Sequence, residues 1–373
     1  MENFKTFIPP ERTLMGPGPS DVSPRVLNAM ARPTLGHLDP LFIDLMDDIK
    51  GLLQYAFKTT NALTMPVSAP GSAGMEACFA NLVEPGDKVV VCINGVFGNR
   101  MVENVTRCGG IAIKVEDAWG EQTSLQKVED ALKANPDAKI LAFVHAETST
   151  GVRNDAQSLC ALARQYDCLS LVDAVTSLGG IEVDVDGWGI DAIYSGSQKC
   201  LSCVPGLSPV SFSPRAVEVI QNRKTPVQSW FLDMNLIVGY WGKGGKRAYH
   251  HTAPVNSLYA LHESLLMLKE EGLEQSWQRH RQGHEALRDG LEGLGMQFTV
   301  DSRYRLPQLN AVAIPPGVDD AAARKQLLEN DNLEIGAGLG DLAGKVWRIG
   351  LMGYACKPRN IDHCVASLGR VIR

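Results

Sequence analysis

The chain has no apolar run approaching the roughly 20 residues that cross a bilayer, so no membrane-spanning helix is expected. Met1-Glu2-Asn3-Phe4-Lys5 carries an acid early and no apolar stretch, unlike a secretory signal. Arg370-Val371-Ile372-Arg373 is not a Ser-Lys-Leu type address. A cytoplasmic protein without a membrane partner is the expectation. Basic charge is also in deficit: 36 Lys and Arg against 42 Asp and Glu leave −6, which argues against a nucleic-acid surface. Metal-ligand spacing is missing as well. Cys200-Leu201-Ser202-Cys203 has no second pair or histidines in register, and most of the nine cysteines, such as Cys92, Cys160 and Cys168, lie in apolar stretches. No metal is expected. Internal repeats and low-complexity tracts are absent. Gly71-Ser72-Ala73-Gly74 lacks the Gly-x-Gly-x-x-Gly spacing of a dinucleotide turn, which disfavours a dehydrogenase.

What is present is an ordinary globular composition in 373 residues, more than one hydrophobic core usually supports. The proline- and glycine-rich start, ending in Met15-Gly16-Pro17-Gly18-Pro19-Ser20, reads as an extended arm over 1–20. Ser23-Pro24 opens a short helix. Leu41, Phe42, Leu45, Met46, Ile49, Leu52 and Leu53 then repeat at helical spacing over 40–57. Strands are expected at 88–93, 111–115, 140–144, 169–172 and 191–194, with helical crossovers such as 155–166. That rhythm predicts an α/β fold with a mostly parallel sheet covered on both faces. The large domain covers 21–255 and connecting helices cover 256–295. A small α+β domain follows over 296–373, with strands near 311–314 and 346–349 and helices at 318–329 and 358–370.

Lys199 stands where Ser195-Gly196-Ser197-Gln198 leaves a buried strand, and Asp173 ends the strand Leu169-Ser170-Leu171-Val172. Strand ends of an α/β sheet face one crevice, the usual ligand position in this class. Such a lysine can hold an aldehyde as a Schiff base, and such an aspartate can keep a pyridine nitrogen protonated, a pairing characteristic of pyridoxal phosphate. Two unit charges about 4 Å apart at an effective dielectric near 20 attract by roughly 4 kcal/mol, enough to favour the protonated ring.

Around this pair lie Gly16-Pro17-Gly18-Pro19, Gly36-His37-Leu38-Asp39-Pro40, Pro85-Gly86-Asp87, Asn94-Gly95, Ser149-Thr150-Gly151, Tyr249-His250-His251-Thr252 and Arg348-Ile349-Gly350. In this order and spacing the chain resembles, nearly end to end, the class V, fold type I pyridoxal-phosphate aminotransferases of the alanine–glyoxylate and serine–pyruvate type. The resemblance implies a seven-stranded-type sheet and a homodimer with composite active sites. It also implies amino-group transfer from alanine or serine to glyoxylate or pyruvate, in two half-reactions through a Lys199 aldimine. Gly71, Ser72 and Ala73 would bind the phosphate at a helix N-terminus, joined by Gln198. Pro70 removes one N–H there, so which backbone groups bind stays open. Phe97 and Val175 would flank the ring, although Phe97 alone reads equally as a core residue. Thr148 would bind the phenolate, and Tyr249 and Thr252 the phosphate of the neighbouring subunit. Gly36 and His37 would border that interface. Arg348, otherwise a half-exposed strand arginine, would take the substrate carboxylate, for which its planar fork is suited.

Three rivals remain. An (S)-ureidoglycine–glyoxylate transaminase shares almost every cofactor residue. A cysteine desulfurase would carry a Ser-x-His-Lys pattern, where this chain has Gln198 before Lys199. A catalytically inactive binding protein on the same fold would be expected to have lost Lys199 or Asp173.

Overall fold

The computed structural model describes residues 4–242 and 247–372. Residues 1–3 of the expected arm, residues 243–246 of the large domain and the terminal Arg373 lie outside the described residues. Seven strands form the main sheet: β1 (Leu63–Val67), β2 (Lys88–Ile93), β3 (Ile111–Glu116), β4 (Ala138–Val144), β5 (Leu169–Asp173), β6 (Ala192–Tyr194) and β7 (Ser208–Phe212). Their order is β1-β7-β6-β5-β4-β2-β3. Strand β7 runs antiparallel to β1 and β6, and the other pairs are parallel. The strands β2, β4 and β5 are apolar along nearly their whole length because helices cover both faces.

Strands β1 and β7 were not expected, because each carries a proline and a hydroxyl residue. The fold sets the prolines opposite each other, Pro209 facing Pro66. It also pairs the buried hydroxyls of Thr64 and Ser211 at 2.8 Å. Each strand supplies the polar partner that the other lacks.

Helix α1 (Pro24–Met30) starts at Ser23, whose hydroxyl accepts from Arg25 N–H. Helix α2 (Pro40–Phe57) starts at Asp39 and buries Phe42, Met46, Ile49 and Leu53 on one stripe. Helices α3 (Gly71–Leu82) and α4 (Val96–Arg107) follow β1 and β2. The connecting helices expected over 256–295 are α5 (Val255–Glu271) and α6 (Leu273–Gly293). They break at Gly272, whose φ of +91° suits glycine. Helix α5 packs on α1 and α2 over the large core. Helix α6 sends Leu287 and Leu291 into a second core with Trp347, Ile349 and Leu368.

That second core backs a three-stranded antiparallel sheet of β8 (Leu309–Ala313), β9 (Gly336–Ala337) and β10 (Val346–Gly350), with β10 in the middle. Helices α7 (Asp320–Asp331) and α8 (Pro358–Val371) complete this part. The N-terminal arm is extended but docked. Thr13–Leu14 pairs with Leu333–Glu334, Met15 is fully buried in the second core, and Gly350 N–H donates to Met15 O at 2.8 Å. The arm then runs past the carboxyl ends of β5 and β6, where Ser20 N–H donates to Gln198 O at 2.9 Å.

Candidate active site

Asp173 is the last residue of β5 and pairs in parallel register with Tyr194, the last of β6. Asp173 Oδ1 accepts from Val175 N–H at 2.8 Å and Oδ2 accepts from the Tyr194 hydroxyl at 2.7 Å. Burial, which opposes the charged form, pushes the Asp173 carboxyl up to about 7. Lys199 lies five residues beyond Tyr194, and its ammonium donates to Pro17 O of the arm. Burial first, then the charge of Arg348, pull Lys199 down to about 8. The arm comes this close because residue 18 is glycine: φ is +103° and a Cβ would sit 2.7 Å from the Lys199 side chain.

Next to this pair is a helix N-terminus. Pro70 precedes α3 and its side chain cannot cap; among the described residues the N–H groups of Gly71 and Ser72 have no acceptor. Ala73 N–H is taken by Pro70 O at 2.7 Å, so Gly71 and Ser72 are the free donors of this turn. A Cβ on Gly71 would meet Val175 at 3.3 Å and Ser195 O at 3.5 Å, which sets the turn against the strand ends of Asp173 and Lys199. The Gln198 amide oxygen is buried without a partner. Free N–H groups and the positive end of a 12-residue helix suit a phosphate dianion, toward which Gln198 can contribute only through its amide NH2.

The third wall comes from the loop after β4. Thr148 Oγ1 meets Thr176 Oγ1 at 2.5 Å, and Thr148 O accepts from the Arg348 guanidinium at 3.3 Å. Arg348 sits on β10, buried rather than half-exposed, and also donates to Ala337 O at 2.7 Å. Among the described residues no carboxylate forms an ion pair with it, and burial lowers it to about 10. A buried guanidinium that feels Glu147 only at a distance and has no carboxylate in contact is a receptor for one. Phe97, in the first turn of α4, is half-buried, with Arg100 over one face of its ring at 4.7 Å.

Several contributors had little or no signal in the sequence. Glu147 is fully buried and accepts from Ser149 N–H (3.0 Å), Ser149 Oγ–H (2.6 Å) and Phe97 N–H (3.2 Å). Ser149 Oγ in turn accepts from Val96 N–H at 3.0 Å. The Thr148 loop thus caps α4 from outside and holds Phe97 in place. A carboxylate so close to an apolar strand was the available clue. Pro17 acts through its carbonyl, which leaves no mark in a side-chain pattern, and Tyr194 looked like one more strand aromatic.

Lys199, Asp173, Val175, Gly71, Gln198, Thr148 and Arg348 are thus gathered around one crevice. Gly36, Tyr249 and Thr252 are not part of that group in a single chain. All three are exposed, Tyr249 by 62%, on a surface where the His37 and Tyr249 rings lie 5.2 Å apart. This surface connects to the phosphate turn through His251 Nε2, 2.7 Å from Ser68 Oγ.

The profile of the family "Aminotransferase class-V" matches residues 25–356. The alanine–glyoxylate aminotransferase of Rattus norvegicus is 41% identical over 98% of this chain and 88% of its own length. The (S)-ureidoglycine–glyoxylate transaminase of Bacillus subtilis (strain 168) is 36% identical over 100% of this chain and 93% of its own. A crystal structure of alanine–glyoxylate aminotransferase from Nostoc sp. superposes with a TM-score of 0.97 at 48% identity, covering 100% of this chain and 98% of that one. The crevice is furnished for the cofactor of such enzymes, with donors for a phosphate, a carboxylate for a pyridine nitrogen and a lysine for an aldehyde. The chain therefore belongs to the aminotransferase class-V family, with the fold type I architecture and the pyridoxal-phosphate dependence of that family.

Proposed function

We propose that the enzyme moves the amino group of alanine or serine to glyoxylate or pyruvate, one substrate replacing the other at Arg348. The observation that carries this reading is the buried Arg348 guanidinium, which among the described residues has no carboxylate in contact and whose charge reaches Lys199. One buried cation matches substrates with one carboxylate and a short side chain. When bound, pyridoxal phosphate supplies an electron sink for the charge left at the substrate Cα. Gly71, Ser72 and Gln198 would hold its phosphate, Asp173 its ring nitrogen and Thr148 its phenolate. Val175 and Phe97 would flank the ring.

Lys199, once free as an amine, would take the proton from the substrate Cα and pass it to the cofactor's aldehyde carbon. Its lowered proton affinity leaves a usable fraction unprotonated near neutral pH. The docked arm and the buried strand ends keep water from competing for that proton.

A homodimer belongs to the same proposal. Leu38, Leu41, Trp230 and Tyr249 are exposed, and Tyr249 and Thr252 would act on the partner's cofactor. A cytoplasmic location is proposed on nine buried, unpaired cysteines, as a reducing compartment maintains. The ureidoglycine reading is favoured by the Bacillus subtilis relative, which aligns with the whole chain.

A donor panel of alanine, serine, glycine, ureidoglycine and glutamate, with glyoxylate and pyruvate as acceptors, tests the assignment. Alanine or serine should lead; ureidoglycine in the lead would establish the rival, and no turnover with any pair would favour the inactive binding protein. Arg348→Ala should lose roughly 30- to 5,000-fold in kcat/KM, since truncating one partner of a buried charge pair costs about 2–5 kcal/mol. Arg348→Lys should rescue poorly, and cofactor absorbance should stay near wild type in both.

A further inference from the structure

We infer that Tyr194 is a positioning residue for transamination: its hydroxyl fixes the orientation of the Asp173 carboxylate and holds it in the charged form. The inference rests on the reading that Asp173 faces the cofactor's ring nitrogen. Tyr194 and Asp173 are register partners on parallel strands, so their side chains leave the same face side by side. Tyr194 is fully buried, and its hydroxyl donates to Asp173 Oδ2 at 2.7 Å. Burial and the neighbouring carboxylate push the phenol well above its ordinary 10, so it keeps its proton and acts only as a donor toward Asp173. With Val175 N–H on Oδ1, each oxygen has one donor from the chain. One lone pair on each oxygen is thus taken, which fixes the carboxylate plane before any ligand arrives and leaves a second lone pair for the ring nitrogen.

The charge balance at Asp173 makes that one bond decisive. Burial raises its proton affinity, and Glu147 adds to the rise. Val175, Tyr194 and the Lys199 charge oppose it. From α3, Cys78 also faces this site, but burial keeps its thiol neutral. The outcome lies near neutrality, where a charge-assisted hydrogen bond is large enough to choose the protonation state. Without the hydroxyl, the single proton shared by the carboxylate and the cofactor's pyridine nitrogen would shift toward the carboxylate oxygen. Both charges vanish, and the ring withdraws less electron density from the substrate.

The helix above is shaped to this arrangement. A Cβ on Gly74 would lie 1.9 Å from Ser208 Oγ and 3.3 Å from Tyr194 Cβ, so glycine lets α3 settle onto Ser208 of β7 with Tyr194 beside it. The same helix offers the phosphate donors at its start, and Tyr194 thus links the two ends of the cofactor site.

Tyr194→Phe keeps the ring and removes only the donor. In holoenzyme carrying ring-15N pyridoxal phosphate, the nitrogen resonance should move toward neutral pyridine. In apoprotein with 13C-carboxyl aspartate, the proton affinity of Asp173 should rise about tenfold or more, the effect of losing one hydrogen bond to a charged group. Turnover should fall by about tenfold or more while KM for the amino donor holds, because Arg348 is untouched. A variant whose ring nitrogen and Asp173 titration both match wild type overturns the inference, whatever its kcat. Asp173→Asn separates the layers. A ring nitrogen that responds to Asp173→Asn but not to Tyr194→Phe refutes the role of Tyr194 alone. One that ignores Asp173→Asn overturns the inference together with the reading beneath it. Should Tyr194→Phe not fold, 3-fluorotyrosine placed at 194 is a stronger donor of nearly the same shape. It should shift both resonances the opposite way, and unmoved resonances would again refute the role.

Discussion

Lys199 carries its charge in a place that penalises charge, and the penalty has a pH signature. Burial and Arg348 lower its proton affinity from the ordinary 10.5 to about 8. Between those values the unfolded chain binds the proton that the folded apoprotein releases, so apoprotein stability rises with pH across that window. At 1.36 kcal/mol per pH unit the full effect is about 3 kcal/mol, present below about pH 8 and gone above about 10.5. Lys199→Met removes the charge at similar length. Its stability advantage over wild-type apoprotein should therefore grow by about 3 kcal/mol as pH falls from 10.5 to 8, read from denaturant midpoints. A pH-independent difference would mean that the ammonium is solvated. Lys199 and Asp173 were legible in the sequence because each is a charge closing an apolar strand. Tyr194 and Pro17 were not, since one is an aromatic among apolar neighbours and the other contributes only a carbonyl.

At the scale of elements, α4 begins without a cap of its own, and Glu147 and Ser149 supply one from the loop after β4. Residue 95 must be glycine for the carboxylate to fit, because a Cβ would lie 2.4 Å from Glu147 Cδ. Glu147→Ala leaves the Phe97 N–H and the Ser149 donors unsatisfied in a buried place, which costs about 1–3 kcal/mol for each such group. The apoprotein should lose roughly that much in urea melts. Cofactor affinity should fall with it, because Phe97 loses its anchor. Glu147→Gln should cost less, as its amide oxygen can still accept from Phe97 N–H. Equal losses in the two variants would show that the carboxylate's charge, and not the cap, is what the site uses. The same scale explains which elements were readable. Strands β2, β4 and β5 announce themselves as Val, Ile and Leu runs between breakers. Strands β1 and β7 satisfy their polar residues through partners distant in sequence, Ser211 with Thr64 and Asn61 and Ser208 with Ser195 O, which no single window reveals. The break at Gly272 was hidden because helical spacing continues on both sides of it.

For the whole molecule the open surface is the one bearing Gly36, His37, Tyr249 and Thr252. Leu38 and Leu41 are exposed on α2 and the turn before it, and the exposed Tyr249 ring lies 5.2 Å from that of His37 in the same turn. Ser68 and His251 join this surface to the turn before α3, so a second chain docked here would reach a phosphate site from outside. Complementation separates a shared site from a private one. In the proposed homodimer, Lys199→Ala and the Tyr249→Phe/Thr252→Val double variant would each damage both sites. In a mixed dimer with shared sites, both lesions fall on one site and the other is intact. Mixtures co-refolded at equal amounts should therefore recover about a quarter of wild-type activity: half of the dimers are mixed, and each has one working site of two. If Tyr249 and Thr252 serve their own chain, each mixed-dimer site carries one lesion. Activity then stays at the level of the parents even where mixed dimers are demonstrated by mass, and the composite site is refuted while the aminotransferase chemistry stands.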